Sequence, residues 1–115
     1  MGGRYEPAEA GWKQVERDET RAVESQVLVP LEEGGHTQVA VTRIAAAGEY
    51  GLHVDDYAQI FSVVDGRGEG EVDGERVPLE PGVIMRTAAG EPHSLRAAAD
   101  QRLVVLTVNT YPSTP

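Results

Sequence analysis

The chain has 115 residues, of which 40% are hydrophobic and 25% charged, so it is expected to form one globular domain. Its formal net charge of −9 makes nucleic acid a poor partner, because an acidic surface repels the phosphate backbone. The sequence has no cysteine, no apolar run of about 18 residues and no apolar N-terminal leader, so we expect no disulfide, no membrane partner and a cytoplasmic location.

The chain begins with a polar segment and then changes to short strand-like segments. Residues 1–24 carry only scattered apolar side chains, which predicts an N-terminal arm of irregular or short extended structure. From residue 25 to residue 111 the sequence is rich in β-branched residues and is interrupted by turns. The predicted strands are, in order, SQVLVPL, TQVAVTRI, AQIFSVV, GEGEV, ERVPL, GVIMRTA, SLRA and QRLVVLTVNTY. Residues 112–115 are predicted to be a C-terminal tail.

Glycine and proline mark the ends of these segments. Gly48 and Gly51 are expected to interrupt the strand pattern after TQVAVTRI, and Asp73-Gly74 has the residue types of a tight hairpin turn. Turn signals spaced about 8–12 residues apart, with no long helical pattern, predict an all-β sandwich or small barrel. A barrel of about eight strands has room for one small ligand.

Four residues in two segments have the chemistry of a metal site. His53, Asp55 and Gln59 are spaced i, i+2 and i+6, so on one strand their side chains would share a face. His93, in the later segment AAGEPHSL, is a candidate partner. Imidazole and carboxylate ligands together are typical of divalent transition metals.

The order of these residues resembles the metal motifs of the cupin superfamily. In that family the first motif runs Gly, His-x-His, Glu, Gly, and the second ends in histidine. The first motif is matched in order by Gly48, His53, Asp55, Gln59 and Gly66, and the second by residues 88–93. The resemblance covers residues 27–108 and implies a single-domain cupin barrel over residues 25–111, a double-stranded β-helix or jelly roll. It also implies that His53, Asp55, Gln59 and His93 are the metal ligands.

Asp55 and Gln59 replace a histidine and a glutamate of the family pattern. His53, Asp55 and His93 would then form a set of two imidazoles and one carboxylate, which suits Fe(II) best, with Mn(II), Ni(II) or Zn(II) as alternatives. Gln59 would either bind the metal weakly or hydrogen-bond the substrate. A cavity that binds a molecule without any metal is the open alternative.

Other side chains are candidates for contact with a substrate. Tyr57 shares the parity of the predicted ligands and, with Gln59, is predicted to act in catalysis. Phe61 and Val63 continue the same face and are predicted to line the pocket. Arg86 stands in an apolar strand and is a candidate anion clamp. Ile84, Val104 and Leu106 are further candidates for the pocket wall.

The resemblance implies a small cupin that binds a divalent metal and acts on a small organic molecule as an oxygenase or an isomerase or cyclase. The alternative is a metal-free cupin that binds or senses a small molecule without catalysis. Cupins commonly pair, so we also expect a homodimer.

Overall fold

Nine antiparallel strands make up most of the computed structural model, which describes residues 2–112. They are β1 (Lys13–Gln14), β2 (Thr20–Val29), β3 (Thr37–His53), β4 (Ala58–Gly66), β5 (Gly68–Val72), β6 (Glu75–Leu79), β7 (Ile84–Thr87), β8 (His93–Ala97) and β9 (Leu103–Thr110). A 3-10 turn (Glu9–Gly11) and a four-residue helix α1 (Leu31–Gly34) are the helices of this region. Within residues 2–112, no helix has the length and apolar character needed to cross a membrane. The all-β prediction is confirmed.

The strands pair in the order β6-β5-β8-β3-β9-β4-β7, with β2 paired to β3 and β1 paired to β2. Strand β3 changes its partner along its length. Residues 37–44 pair with β9, whereas Glu49 to His53 pair with β8. Because one strand belongs to both layers, the sheet folds back on itself and forms a nearly closed barrel.

The expected break at Gly48 and Gly51 is wrong, because β3 continues for 17 residues through both glycines. The bend lies at Ala47, whose φ is +64°. The glycines allow β2 to approach the bent strand closely. A Cβ atom at Gly48 would lie 2.7 Å from the carbonyl oxygen of Arg21, and one at Gly51 would lie 2.9 Å from that of Glu19. These glycines therefore permit strand pairing at the bend.

Strand β2 begins at Thr20, inside the segment predicted as an arm. Residues 20–24 carry few apolar side chains, yet they pair with β3, which supplies the backbone hydrogen bonds. Earlier in the arm, the ring of Trp12 packs 4.0 Å from the guanidinium carbon of Arg43, on the outer face of β3. The predicted tail, residues 112–115, lies outside the described residues except for Pro112.

The interior of the barrel is apolar at one end and polar at the other. Strand β9 runs from one end to the other, and its inward residues change from Leu103 and Val105 to Thr107 and Asn109. The apolar core contains Val23, Ile44, Phe61, Val63, Leu79, Met85, Leu95, Ala97, Leu103 and Val105. The buried polar residues are Gln59, Thr87, His93, Thr107 and Asn109. The predicted ligands thus lie at the polar end.

Candidate metal centre and cavity

Three of the four predicted ligands converge at the polar end. His53 ends β3 and His93 begins β8, and these two residues are directly opposite one another in the β3–β8 pairing. The Oδ2 atom of Asp55 lies 3.2 Å from Nε2 of His53 and 3.4 Å from Nε2 of His93. The three ligand atoms all lie within 4.8 Å of one another. We call these residues the His-His-Asp cluster.

Asp55 reaches the cluster from a loop and not from a strand. The shared strand face considered for His53, Asp55 and Gln59 does not form, because β3 ends at His53 and β4 begins at Ala58, where the strand AQIFSVV was predicted to start. The backbone carbonyl of Asp55 accepts a hydrogen bond from the amide of Gly90, at 2.9 Å. This contact ties the loop of Asp55 to the loop that leads to His93.

Both histidines direct the same ring nitrogen toward the aspartate. Nδ1 of His53 lies 2.7 Å from the carbonyl oxygen of Gly51, and Nδ1 of His93 lies 2.9 Å from that of Glu91. Each Nδ1–H therefore donates to the backbone, which leaves the Nε2 lone pair facing Asp55. Nε2 of His93 is buried and has no hydrogen-bond partner in the described part of the chain. An unpaired buried lone pair beside a carboxylate fits a divalent cation.

The surroundings of the cluster favour the ligand forms of its groups. Burial lowers the pKa of His93, with the neighbouring His53 adding to the effect, so the neutral imidazole predominates. The ring of Tyr50 stacks on His53, with centroids 4.4 Å apart, and that contact restricts the orientation of the imidazole.

Gln59 belongs to a chain of three amides across β4, β9 and β3, which we call the amide ladder. Nε2 of Gln59 donates to Oδ1 of Asn109 at 3.0 Å, and Nδ2 of Asn109 donates to Oε1 of Gln38 at 3.1 Å. Oε1 of Gln59 is buried and, within residues 2–112, has no partner. It is therefore available as an acceptor. Asn109 and Gln38 escaped the sequence prediction, although a lone asparagine in the apolar strand LVVLTVNT was a usable signal.

His53 and Asp55 of the cluster line a cavity of about 250 Å³ together with the amide ladder, whereas His93 is buried outside its wall. This volume is below the range of about 300–1,000 Å³ typical of sites for drug-sized molecules, so the ligand must be small. The wall consists of Val15, Arg17, Ser25, Val27, Gln38, Ala40, Thr42, Tyr50, His53, Asp55, Tyr57, Gln59, Phe61, Leu95, Thr107 and Asn109. Two wider depressions, of about 590 and 600 Å³, contain none of the predicted site residues.

Two of the aromatic candidates lie at the cavity. Phe61 forms part of the wall, and its ring centroid is 5.8 Å from that of His93. Tyr57 also lines the cavity, against Tyr111, with ring centroids 4.4 Å apart. Burial, together with the charge of Asp55, raises the pKa of Tyr57 far above its usual value. Its hydroxyl therefore stays protonated and serves as a donor.

Arg86 and Val63 do not line the cavity, so these two predictions are corrected. On β7 the inward positions belong to Met85 and Thr87, which leaves Arg86 exposed on the outer face. Val63 points inward but lies in the apolar core, on the far side of Phe61 along β4.

Three further candidates for the pocket wall do not line the cavity either. Val104 and Leu106 occupy the face of β9 opposite to the buried residues, and Ile84 is 63% exposed. Strand β9 is apolar on both faces, so its residues show no alternation from which the inner face could be chosen.

Arg17 lines the cavity and was missed, because it lies in the segment read as an arm. It is carried by the loop of residues 15–19, between β1 and β2. Nη1 of Arg17 donates to the hydroxyl of Tyr50 at 2.8 Å, and Nε lies 2.9 Å from Oε1 of Glu19. Nothing distinguishes Arg17 from the other basic residues of this polar segment, so the sequence carried no signal of its position.

Solved structures with the same fold come from several bacteria. A cupin-2 domain from Rhodospirillum rubrum aligns with a TM-score of 0.80 and 19% identity, over 100% of this chain and 80% of that chain. The polyketide cyclase RemF from Streptomyces resistomycificus gives 0.83 and 17%, over 100% and 83%. A predicted oxalate decarboxylase from Thermotoga maritima gives 0.72 and 25%, over 78% and 81%. These likenesses support the predicted cupin barrel.

Sequence comparison gives the family directly. Among curated proteins, none matches this chain in sequence. The sequence model of the cupin domain, in contrast, matches residues 40–109, which include the His-His-Asp cluster and the amide ladder apart from Gln38. With the barrel topology and this match over more than half of its length, the chain belongs to the cupin domain family.

Proposed function

We propose that this protein is a metal-dependent enzyme that acts on a small, oxygen-bearing organic molecule. The observation that supports the proposal is the His-His-Asp cluster, in which both Nε2 atoms face one carboxylate oxygen across 3.2 and 3.4 Å. His53, Asp55 and His93 would hold the metal, with Fe(II) as the first choice and Mn(II), Ni(II) or Zn(II) as alternatives. A metal in this position supplies Lewis-acid polarisation of a substrate oxygen.

The groups around the cluster suit hydrogen bonding to a substrate held in the cavity. The protonated hydroxyl of Tyr57 can donate to a substrate oxygen, and the free Oε1 of Gln59 can accept from a substrate hydroxyl. Phe61 and Leu95 line the apolar part of the wall and exclude water there. Oxygenase, isomerase and cyclase chemistry are all compatible with this combination. The neighbours include a polyketide cyclase and a predicted oxalate decarboxylase, so the barrel itself does not select one reaction.

Metal analysis of protein purified without an affinity tag tests the proposal. We expect one transition-metal ion per chain in the wild type and a loss of that metal in His93→Ala. The matched control is His36→Gln, because His36 is exposed and lies outside the cavity. A wild type that takes up neither Fe(II) nor Zn(II) after dialysis against each metal would overturn the proposal.

A metal-free binding protein is the second candidate, and the amide ladder favours it. Gln59 keeps a buried amide oxygen without a partner among residues 2–112, and because Gln59 lines the cavity this oxygen can bind a polar ligand without any metal. The same metal analysis separates the two candidates, because the second predicts that the wild type takes up no transition metal.

A further inference from the structure

The loop of residues 15–19 holds Arg17 over the cavity in a fixed conformation. The amide of Arg17 donates to Oγ1 of Thr20 at 2.9 Å, and that hydroxyl donates to the carbonyl of Val15 at 2.8 Å. The amide of Thr20 in turn donates to the carbonyl of Arg17 at 3.1 Å. These bonds close a tight turn, so the position of Arg17 is fixed by its own backbone.

The guanidinium of Arg17 is oriented by two neighbours. Glu19 lies against Nε at 2.9 Å, and the hydroxyl oxygen of Tyr50 accepts from Nη1 at 2.8 Å. Nη2 is then left to donate to a ligand. The hydroxyl of Tyr50 accepts from Arg17, so its own hydrogen is free as a second donor. Two adjacent donors of this kind match the two oxygens of a carboxylate.

These donors lie next to the His-His-Asp cluster. Tyr50 stacks on His53 at 4.4 Å, and Arg17 lines the same wall as Asp55. Among the described residues of that wall, Arg17 is the single arginine or lysine. A divalent metal held by Asp55 would leave one uncompensated positive charge, so the cavity would attract an anion although the chain as a whole carries −9.

We propose that Nη2 of Arg17 and the hydroxyl of Tyr50 bind a carboxylate of the substrate, so that the substrate class is the small organic acids. This inference rests on the proposed function and adds the substrate class to it. Gln59 belongs to the same wall, and its free Oε1 would accept a hydrogen bond from a hydroxyl of the same molecule. A cavity of about 250 Å³ limits the acid to a small one.

Glycolate and the uncharged diol ethylene glycol form a matched pair of probes. We would titrate each into Zn(II)-loaded and metal-free protein and follow backbone amide shifts by NMR. Wild type is expected to bind glycolate at least about 10-fold more tightly than Arg17→Gln does, because the variant loses a hydrogen bond in which both partners are charged. Binding of ethylene glycol is expected to be equal in the two proteins.

Further variants separate recognition from a purely structural role. Arg17→Lys should retain part of the preference for glycolate, and Tyr50→Phe should lose part of it while keeping the stacked ring. Arg86→Gln, on the outer face, should match wild type. Equal glycolate affinity in wild type, Arg17→Gln and Tyr50→Phe would overturn the inference, and so would an equal loss of diol binding in Arg17→Gln.

The two proposals can fail separately. A protein that takes up no metal refutes the proposed enzyme, whereas the dependence of glycolate binding on Arg17 in metal-free protein still decides the present inference. Metal uptake with glycolate binding independent of Arg17 refutes the inference alone.

Discussion

His93 is almost fully buried, and its two ring nitrogens have different surroundings. Nδ1 is paired with the backbone of Glu91, whereas Nε2 faces Asp55 without a hydrogen bond. The backbone contact fixes the tautomer, and burial keeps the ring neutral. The fold therefore holds His93 neutral and oriented, with an Nε2 atom that lacks a hydrogen-bond partner and can bind a metal ion.

Metal-free protein should therefore lose stability as the pH falls. The pKa of His93 is lowered from 6.5 in the folded chain, so the unfolded chain binds more protons as the pH drops through that value. Between about pH 7.5 and pH 5.5 we expect the free energy of unfolding to fall by about 1 kcal/mol more in wild type than in His93→Gln. Urea denaturation at the two pH values measures this. The control His36→Gln should follow wild type, and an unchanged slope in His93→Gln would contradict the prediction.

Replacement of Gln59 by glutamate tests whether this residue faces the metal. Gln59→Glu restores the carboxylate that the cupin motif usually carries at this position, so affinity for Zn(II) should rise by about 10-fold or more. The change also removes the Nε2 donor to Asn109, so the metal-free protein should lose about 1–2 kcal/mol of stability. Competition with a chelator measures the affinity. Affinity that is unchanged or weaker would show that Gln59 serves the ligand and not the metal.

At the scale of elements, β3 determines where the His-His-Asp cluster lies, because it bends from its pairing with β9 to its pairing with β8 and ends at His53. Sequence predicted His53, Asp55 and His93 as one group because residue type and motif order are local information. It did not predict that β3 runs through Gly48, since the strand is maintained by pairing with β2 and β8, which are distant in sequence. The inner face of β9 was missed because both of its faces are apolar, and Arg17 was missed because it stands in a polar segment.

Gly48 should be sensitive to the smallest substitution. An added methyl group would lie 2.7 Å from the carbonyl oxygen of Arg21 and 2.9 Å from that of Ala45, both of them backbone atoms that cannot move aside freely. We expect Gly48→Ala to destabilise the protein by about 1–3 kcal/mol. Gly34→Ala is the control, because its methyl group would meet only side-chain atoms at 3.6 Å or more. Thermal denaturation of the two variants makes the comparison, and equal melting temperatures would contradict it.

At the scale of the whole molecule, the outer face of β9, β4 and β7 carries apolar side chains. Ile60 is 39% exposed and Ile84 is 63% exposed, and Val108 is the neighbour of Ile60 on β9. In another region of the outer face, on β3, the N-terminal arm packs Trp12 against Arg43. The arm therefore covers one part of the outer face and leaves the part around Ile84 open.

We propose that a second copy of the chain covers this open part, which gives the homodimer expected of a cupin. Light scattering should give twice the mass of the 12.4 kDa chain. Ile84→Glu should shift the protein toward the monomer, because it places a charge in an apolar contact. Leu52→Glu is the control, since Leu52 is 60% exposed on β3, outside the open part. A monomeric wild type at micromolar concentration would refute the dimer.

The pairing of His53 with His93 has a consequence for the lifetime of the protein. The two imidazoles lie together only when the end of β3 is paired with the start of β8. A metal ion bound by both would therefore cross-link the two strands at this pairing. Such a cross-link stabilises the folded protein, because the unfolded chain does not form it. We expect proteolysis of this protein to slow as the concentration of available metal rises. Its abundance in the cell would then increase with the supply of that metal.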